Sequence, residues 1–226
     1  MAAVVFDLDD TLYTHVRYVH SGFSAVSRHL GQRFGLSADD VYAALRRASD
    51  MGFIGSELQQ VCETYRLAET LVPELIEVVR GHAPDLQLSH DVLASLQGLR
   101  HRGWRMAILT NGLPRAQAAK VRALGLEALV DHVVYAEDYA VGGKPAAEPF
   151  LEVLRRLQVA PNRAVMVGDN RVNDIEGARA VGMRTVLVAR GQRPHRDGGA
   201  DVVVQNLTDL SRIALDLVSR TVADAA

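Results

Sequence analysis

The sequence predicts an α/β protein: a doubly wound parallel sheet, interrupted near its start by a small all-helical insertion. Three observations carry the prediction. From about Leu88 onward, short apolar runs of strand length alternate with stretches of helical spacing, the pattern of a parallel sheet wrapped by helices. Several of those runs end abruptly in polar clusters, as strands do where an open sheet presents its carboxyl edge. Between Thr14 and Gln87 the alternation disappears and only helical patterns remain.

Taken in order, Val4 to Phe6 is a continuous, β-branched apolar run and reads as a buried first strand. Helices follow over roughly 16–34, 38–48, 56–67 and 71–80, with Ser37 and Asp40 resembling a capping box in which Asp replaces Glu or Gln. Ser89 is a plausible N-cap for a helix from Asp91 to His101, closed by Gly103. Trp104 to Leu109 is the second strand, and Pro114 opens a helix to about Leu124. His132 to Ala136 is the third strand. Glu148 to Leu157 carries Phe150, Leu151, Leu154 and Leu157 at helical spacing. Ala164 to Val167 is the fourth strand, followed by a helix from about Asp174 to Val181 and a strand from Thr185 to Val188. Gly191 to Gly199, rich in Gly, Pro and Arg, reads as a mobile loop. Asp201 to Val204 is a last short strand before a helix from Leu207 to Val222.

The first strand is thus separated from the rest of its sheet by about 70 helical residues. An inserted subdomain accounts for this, since an unstructured loop of that length is uncommon in a compact domain. The expected organisation is a core of residues 1–13 and 88–226 with a helical cap over residues 14–87, standing above the carboxyl edge of the sheet.

Composition narrows the class of function. The 226 residues are 48% hydrophobic and 23% charged with a formal net charge of −2 and no basic block, so neither a nucleic acid polymer nor an anionic membrane is an expected partner. No apolar stretch approaches the roughly 18 residues needed to span a bilayer. The N-terminus has no basic region ahead of its apolar run, which argues against a signal peptide. The lone cysteine, Cys62, fits a reducing compartment and reads as a packing residue; the cytoplasm is the expected location. Of 25 basic residues only Lys120 and Lys144 are lysines. Composition bias is the simple account, yet a lysine retained against 23 arginines draws notice.

The chemistry concentrates at Val4-Val5-Phe6-Asp7-Leu8-Asp9-Asp10-Thr11-Leu12, where the first strand runs into three carboxylates within four positions. Like charges this close repel unless a cation lies among them, and a hard divalent ion with oxygen ligands, Mg²⁺ above all, suits carboxylates. Further polar clusters sit at Thr110/Asn111, at Lys144 within Gly142-Gly143-Lys144-Pro145, and at Asp169/Asp174. Each has an ordinary alternative. Thr110 can be an N-cap, Asn111-Gly112 a turn, Lys144 a solvated loop residue, and Asp174 a complement to a helix dipole. In a parallel sheet, however, all these ends lie on one edge and should converge.

With four motifs in order over residues 4 to 190, the chain resembles the haloacid dehalogenase superfamily in its phosphatase branch, with a Rossmann-like core. The motifs are Phe-Asp-Leu-Asp-Asp-Thr-Leu from residue 6, Leu-Thr-Asn-Gly from 109, Lys-Pro from 144 and Gly-Asp-Asn-Arg-Val-Asn-Asp from 168. The resemblance implies a phosphomonoester hydrolase acting on a small phosphorylated metabolite. Asp7 would be the nucleophile that becomes an aspartyl phosphate, and Asp9 the general acid and base. Mg²⁺ would be bound by the carboxylates of Asp7 and Asp169 and the carbonyl of Asp9. Thr110 and the backbone N–H of Asn111 would contact phosphoryl oxygens, Lys144 would supply positive charge, and Asp174 would hold Lys144 or a metal-bound water. Asp10 reads as a bystander.

Departures from relatives sharpen this. Asp9 argues against dehalogenation, since a departing halide needs no proton. The absence of lysine between Thr14 and Gln87 argues against a Schiff-base mechanism in the cap. A phosphosugar mutase remains the alternative, because it shares the catalytic residues; a non-catalytic binding protein on the same fold is the third reading. The motif wording is most similar to the branch of nucleoside monophosphate and acylneuraminate 9-phosphatases, so a nucleoside monophosphate or a sugar phosphate is expected. His15, Arg17, His20 and Phe53 are candidate recognition residues in the cap, each with the alternative of surface or packing. A monomer or homodimer is expected.

Overall fold

The computed structural model describes residues 1–191 and 199–223; most of the Gly191 to Gly199 loop lies outside the described residues. The chain divides into two compact units, one of Met1–Thr14 with Gln87–Ala226 and one of His15–Leu86.

The first unit is built on β1 (Ala3–Phe6), and the second supplies four helices: α1 (His15–Phe34), α2 (Ala38–Asp50), α3 (Glu57–Thr64) and α4 (Val72–Gly81). The chain then returns to the first unit through α5 (His90–His101), β2 (Arg105–Thr110), α6 (Pro114–Ala123), β3 (His132–Tyr135) and α7 (Ala147–Leu157). β4 (Ala164–Gly168), α8 (Gly177–Ala180), β5 (Arg184–Val188), β6 (Val202–Val204) and α9 (Leu210–Ala223) complete it.

Among the described residues the sheet has six strands, all parallel, in the order β3-β2-β1-β4-β5-β6. This is the doubly wound arrangement, in which ligands bind where the strand order reverses, beside β1. β1 is the central strand and is buried along its whole length, which explains why it reads as an unbroken apolar run. One face of the sheet, through Val5, Ala107, Leu109 and Met166, packs on Phe150, Val153, Leu154 and Leu157 of α7 and Ala178 of α8. The period of two sends Val4, Phe6, Ile108 and Val165 to the other face, where α5 contacts β2 and α9 contacts β4.

The helical unit has a core of its own. Phe23, Val26 and Leu30 of α1 meet Val41 and Leu45 of α2, Val61 and Cys62 of α3, and Val72 and Leu75 of α4. Burial, with the charge of Glu69, pushes the Cys62 thiol up, as befits a packing residue. Ser37 caps α2 by accepting from the Asp40 N–H, and Ser89 caps α5 by accepting from the Val92 N–H.

Some boundaries differ from the sequence reading. The helix expected over 174–181 starts at Arg171 with a wide π-helical turn, Arg171–Glu176, that leads into α8. Asn170 starts it early, its Oδ1 accepting from the N–H groups of Val172 and Asn173. The last helix begins at Leu210 instead of Leu207, whose carbonyl is held by the Ser95 hydroxyl. α3 is shorter than the expected 56–67, and the Ser56 side chain makes no capping bond.

Candidate active site

The carboxyl ends of β1, β2 and β4 and the loop after β3 bring Asp7, Thr110, Lys144, Asp169 and Asp174 to one edge of the sheet. β1 places Asp7 directly after its last residue, and the Asp7 N–H still bonds the Val167 carbonyl of β4 at 2.9 Å. Register therefore fixes the Asp7 backbone between the neighbouring strands.

Lys144 lies at the centre. It is buried, and its ammonium donates to Asp7 Oδ1 at 2.7 Å, Asp174 Oδ1 at 2.6 Å and the Leu109 carbonyl at 2.9 Å. Three donors meet three acceptors, so the group is fully satisfied without water. The loop carrying it is clamped by Asn111. Asn111 Oδ1 accepts from the Lys144 N–H at 2.8 Å, and Nδ2 donates to the carbonyls of Lys144 and Gly142. Gly143 is required here: its φ is +65°, and a Cβ would sit 2.5 Å from Asn111 Oδ1. The Asn111 side chain is thus a loop clamp, both of its polar atoms engaged by the Lys144 loop.

Asp174 is buried. Its second oxygen accepts from the Asn170 N–H at 3.0 Å. It lies against Gly168 so closely that a Cβ there would be 2.3 Å from Asp174 Oδ2; the glycine of the fourth motif makes room for this side chain. Oxygens of Asp7, Asp169 and Asp174 lie within 4.8 Å of one another.

Three carboxylates around one ammonium leave an excess of two negative charges when all are ionised, and the proton affinities reflect it. Burial, reinforced by the charges of Asp174 and Asp169 and opposed by Lys144, pushes Asp7 up to about 7. Burial with the charges of Asp174 and Asp10 pushes Asp169 up to about 6. Burial works against the Lys144 charge, but Asp7 and Asp174 outweigh it and hold its pKa above the ordinary lysine value. Burial raises Asp7 and opposes the rise of Lys144, but the neighbouring carboxylates push both upward, so the cluster favours added positive charge, whether a proton or a metal ion. Among the described residues the group that could hold a metal ion is all carboxylate, Asp7, Asp169 and Asp174; with both Asp174 oxygens engaged, Asp7 and Asp169 are the carboxylates left for a cation. So few protein ligands suit Mg²⁺, which keeps several waters.

Asp9 does not share Lys144. Its carboxylate turns toward α6, where the buried Lys120 reaches Oδ1 at 2.9 Å and Oδ2 at 2.8 Å. Gln117 Nε2 donates to Asp9 Oδ2 at 2.9 Å and to Thr110 Oγ1 at 2.6 Å, and the Tyr13 hydroxyl donates to Asp9 Oδ1. The sequence reading gave Lys120, Gln117 and Tyr13 no part in holding Asp9; the scarcity of lysine was the available signal for Lys120. Asp10 is exposed, with a φ of 58°.

The candidate recognition residues all belong to the helical unit. Arg17 and His20 line a cavity of about 320 Å³ with Ser21, Arg28 and Tyr42. Burial and the Arg46 charge lower the pKa of His20. His15 is outside that lining, its ring 5.8 Å from the Tyr18 ring, and Phe53 is partly exposed in the turn between α2 and α3.

Comparison with known proteins extends over nearly the whole chain. The family model described as haloacid dehalogenase-like hydrolase matches residues 1–182. The chain is 30% identical to the glyceraldehyde 3-phosphate phosphatase of Methanopyrus kandleri, covering 98% of this chain and 99% of that one. It is 32% identical to the ribulose-1,5-bisphosphate 5-phosphatase of Halopiger xanaduensis, covering 88% and 89%. Among solved structures, a HAD phosphatase from Thermococcus onnurineus superposes with a TM-score of 0.63 at 28% identity, covering 94% and 97%.

Proposed function

The chain belongs to the haloacid dehalogenase-like hydrolase family, and from that premise we propose that it is a Mg²⁺-dependent phosphomonoesterase acting through a phosphorylated Asp7. The observation that carries the reading is the Lys144 ammonium held between Asp7 and Asp174 with Asp169 beside them. It is a cluster short of positive charge, placed where a doubly wound sheet binds its ligands.

In the first step an Asp7 oxygen attacks phosphorus. The bond from phosphorus to the ester oxygen breaks, and that oxygen takes a proton from Asp9. In the second step water attacks the phosphorus of the aspartyl phosphate and gives its proton to Asp9. The bond to Asp7 breaks, and inorganic phosphate leaves. Lys144 offsets charge on the nucleophile and on the phosphoryl oxygens. The Thr110 hydroxyl and the N–H groups of Asp9 and Asn111 orient those oxygens, and Asp174 keeps Lys144 in place. The Asp7 and Asp169 carboxylates and the Asp9 carbonyl would hold Mg²⁺. Bound there, the ion would supply Lewis-acid stabilisation of the transferring group. The helical unit is assigned to substrate recognition, with Arg17, His20, His15 and Phe53 as its candidate residues.

A small phosphorylated metabolite is the substrate class. Relatives named for glyceraldehyde 3-phosphate and ribulose 1,5-bisphosphate favour sugar phosphates over nucleoside monophosphates within it. The test is a panel of sugar phosphates, nucleotides and p-nitrophenyl phosphate with and without Mg²⁺. Mg²⁺-dependent release of inorganic phosphate is expected. Conversion to an isomeric phosphate without release would make the chain a mutase, and no turnover of any ester would leave a binding protein.

A further inference from the structure

The two lysines of the chain are both buried at this sheet edge, and each holds one aspartate of the first motif. Lys144 holds Asp7, and Lys120 holds Asp9. The second pair is unaccounted for by the chemistry above. We propose that Gln117 and Lys120 of α6 are positioning residues that fix the Asp9 carboxylate, and with it the Thr110 hydroxyl, for proton transfer at the leaving oxygen. This rests on the phosphatase reading.

Gln117 and Lys120 lie three residues apart on α6 and so share one face of the helix. Both are nearly inaccessible, at 2% and 4% exposure. An aspartate side chain has two rotatable bonds, and contacts to both oxygens leave neither bond free. Asp9 Oδ2 accepts from Gln117 at 2.9 Å and Lys120 at 2.8 Å, and Oδ1 accepts from Lys120 at 2.9 Å and from the Tyr13 hydroxyl. Oδ2 alone is shared by both α6 side chains, so Oδ1 is assigned as the oxygen that exchanges the proton. A protonated Asp9 keeps a bare oxygen for the Gln117 and Lys120 donors, so the anchor persists in both protonation states.

The same glutamine orders Thr110. An amide N–H donating to Thr110 Oγ1 at 2.6 Å occupies a lone pair of that oxygen and makes the hydroxyl a donor, here to the Asn111 carbonyl over a long 3.3 Å. A phosphoryl oxygen would accept that hydrogen bond in place of the carbonyl. One side chain therefore ties the group that contacts the phosphoryl oxygens to the group that handles the leaving oxygen, and couples their positions.

A purely structural ion pair would predict a different outcome from a positioning pair. The test compares Lys120→Met and Gln117→Met with the wild type on two esters: the alkyl phosphate that the wild type turns over fastest, and p-nitrophenyl phosphate. The nitrophenolate departs without a proton, whereas an alkoxide does not. Lys120→Met is expected to lower kcat/KM on the alkyl ester about 100-fold, within the range for loss of a placed acid. That ratio reports the steps up to phosphorylation of Asp7 and not the hydrolysis common to both esters. The loss of kcat/KM on p-nitrophenyl phosphate is expected to be at least about tenfold smaller. Gln117→Met should act in the same direction with about a tenfold loss on the alkyl ester. It retains the buried ion pair, so it carries the test alone if Lys120→Met lacks a cooperative thermal transition. Equal losses on the two esters, or an alkyl loss below about threefold, would overturn the proposal. A wild-type protein that releases phosphate from neither ester would instead overturn the phosphatase reading, and this one with it.

Discussion

Lys144 and Lys120 occupy neighbouring places and do different work. Lys144 is shared by two carboxylates and a carbonyl, with its Asp7 and Asp174 partners buried. Lys120 reaches both oxygens of Asp9, and the Asp9 side chain is 26% exposed and also held by Gln117 and Tyr13. Around the first lysine negative charge exceeds positive, so that pair is an electrostatic device awaiting a further cation. Around the second, the ammonium bridges both oxygens of a carboxylate that Gln117 and Tyr13 also hold, so that pair is a geometric device. Two salt bridges of similar length thus carry different consequences, and the burial of the carboxylate decides which.

The largest effect should come from the carboxylate that Lys144 serves. Asp7→Asn is expected to lower turnover about 10⁴-fold or more, while the folded state without metal becomes at least as heat-resistant as the wild type. The substitution removes one negative charge from a cluster carrying too many. Full activity in this variant would refute the nucleophile assignment, and a large drop in melting temperature would refute the charge count.

Next comes the contrast between the lysines themselves. Lys144→Met leaves Asp7 and Asp174 buried without their cation, a change that typically costs about 3–5 kcal/mol of stability. It should also lower kcat by about 10²–10³-fold through lost charge stabilisation. Lys120→Met leaves Asp9 with Gln117, Tyr13 and partial access to water, so about 1–3 kcal/mol is expected. Urea denaturation of both variants measures the difference. A greater loss in Lys120→Met would reverse the distinction drawn between the two pairs.

The legibility of these parts in the sequence follows the same division. β1 was readable because a central parallel strand is buried on both faces and must be apolar throughout, so its carboxylates stand out where it ends. The parallel pairing follows from the alternation of strands and helices, and the shared edge of the motifs follows from the parallel pairing; the strand order came from the structure. Lys120 and Gln117 lie mid-helix, where an i, i+3 polar pair on a solvated face looks the same in sequence. Only the packing of α6 reveals that this face is buried against Asp9 and Thr110. The turn at Arg171–Glu176 escaped for a related reason: it depends on one side chain, Asn170, bonding two N–H groups. The helical unit yielded its helices but not the duties of Arg17, His20, His15 or Phe53, because helical periodicity reports the buried face and is silent about what the other face binds.

The smallest predicted effect isolates the charge excess around Lys144 from everything else that titrates. Asp7 and Asp169 have pKa values raised to about 7 and about 6 from the ordinary aspartate value of 3.8. The folded protein therefore holds more protons than the unfolded chain across that window, and their contribution to stability is present below about pH 4 and lost as pH rises through 6 and 7. A bound divalent cation replaces those protons, so its binding strengthens as they leave. The gap in melting temperature between Mg²⁺-containing and EDTA-containing samples should widen steadily from pH 5 to pH 8. Because the gap is a difference, titrations elsewhere, His20 among them, cancel from it. Calorimetry in two buffers of different ionisation enthalpy should show proton release on Mg²⁺ binding at pH 6 that fades by pH 8. A gap that stays level with pH, or binding without proton release, would mean that Lys144 already balances the carboxylates it serves, and the contrast with Lys120 would lose its electrostatic basis.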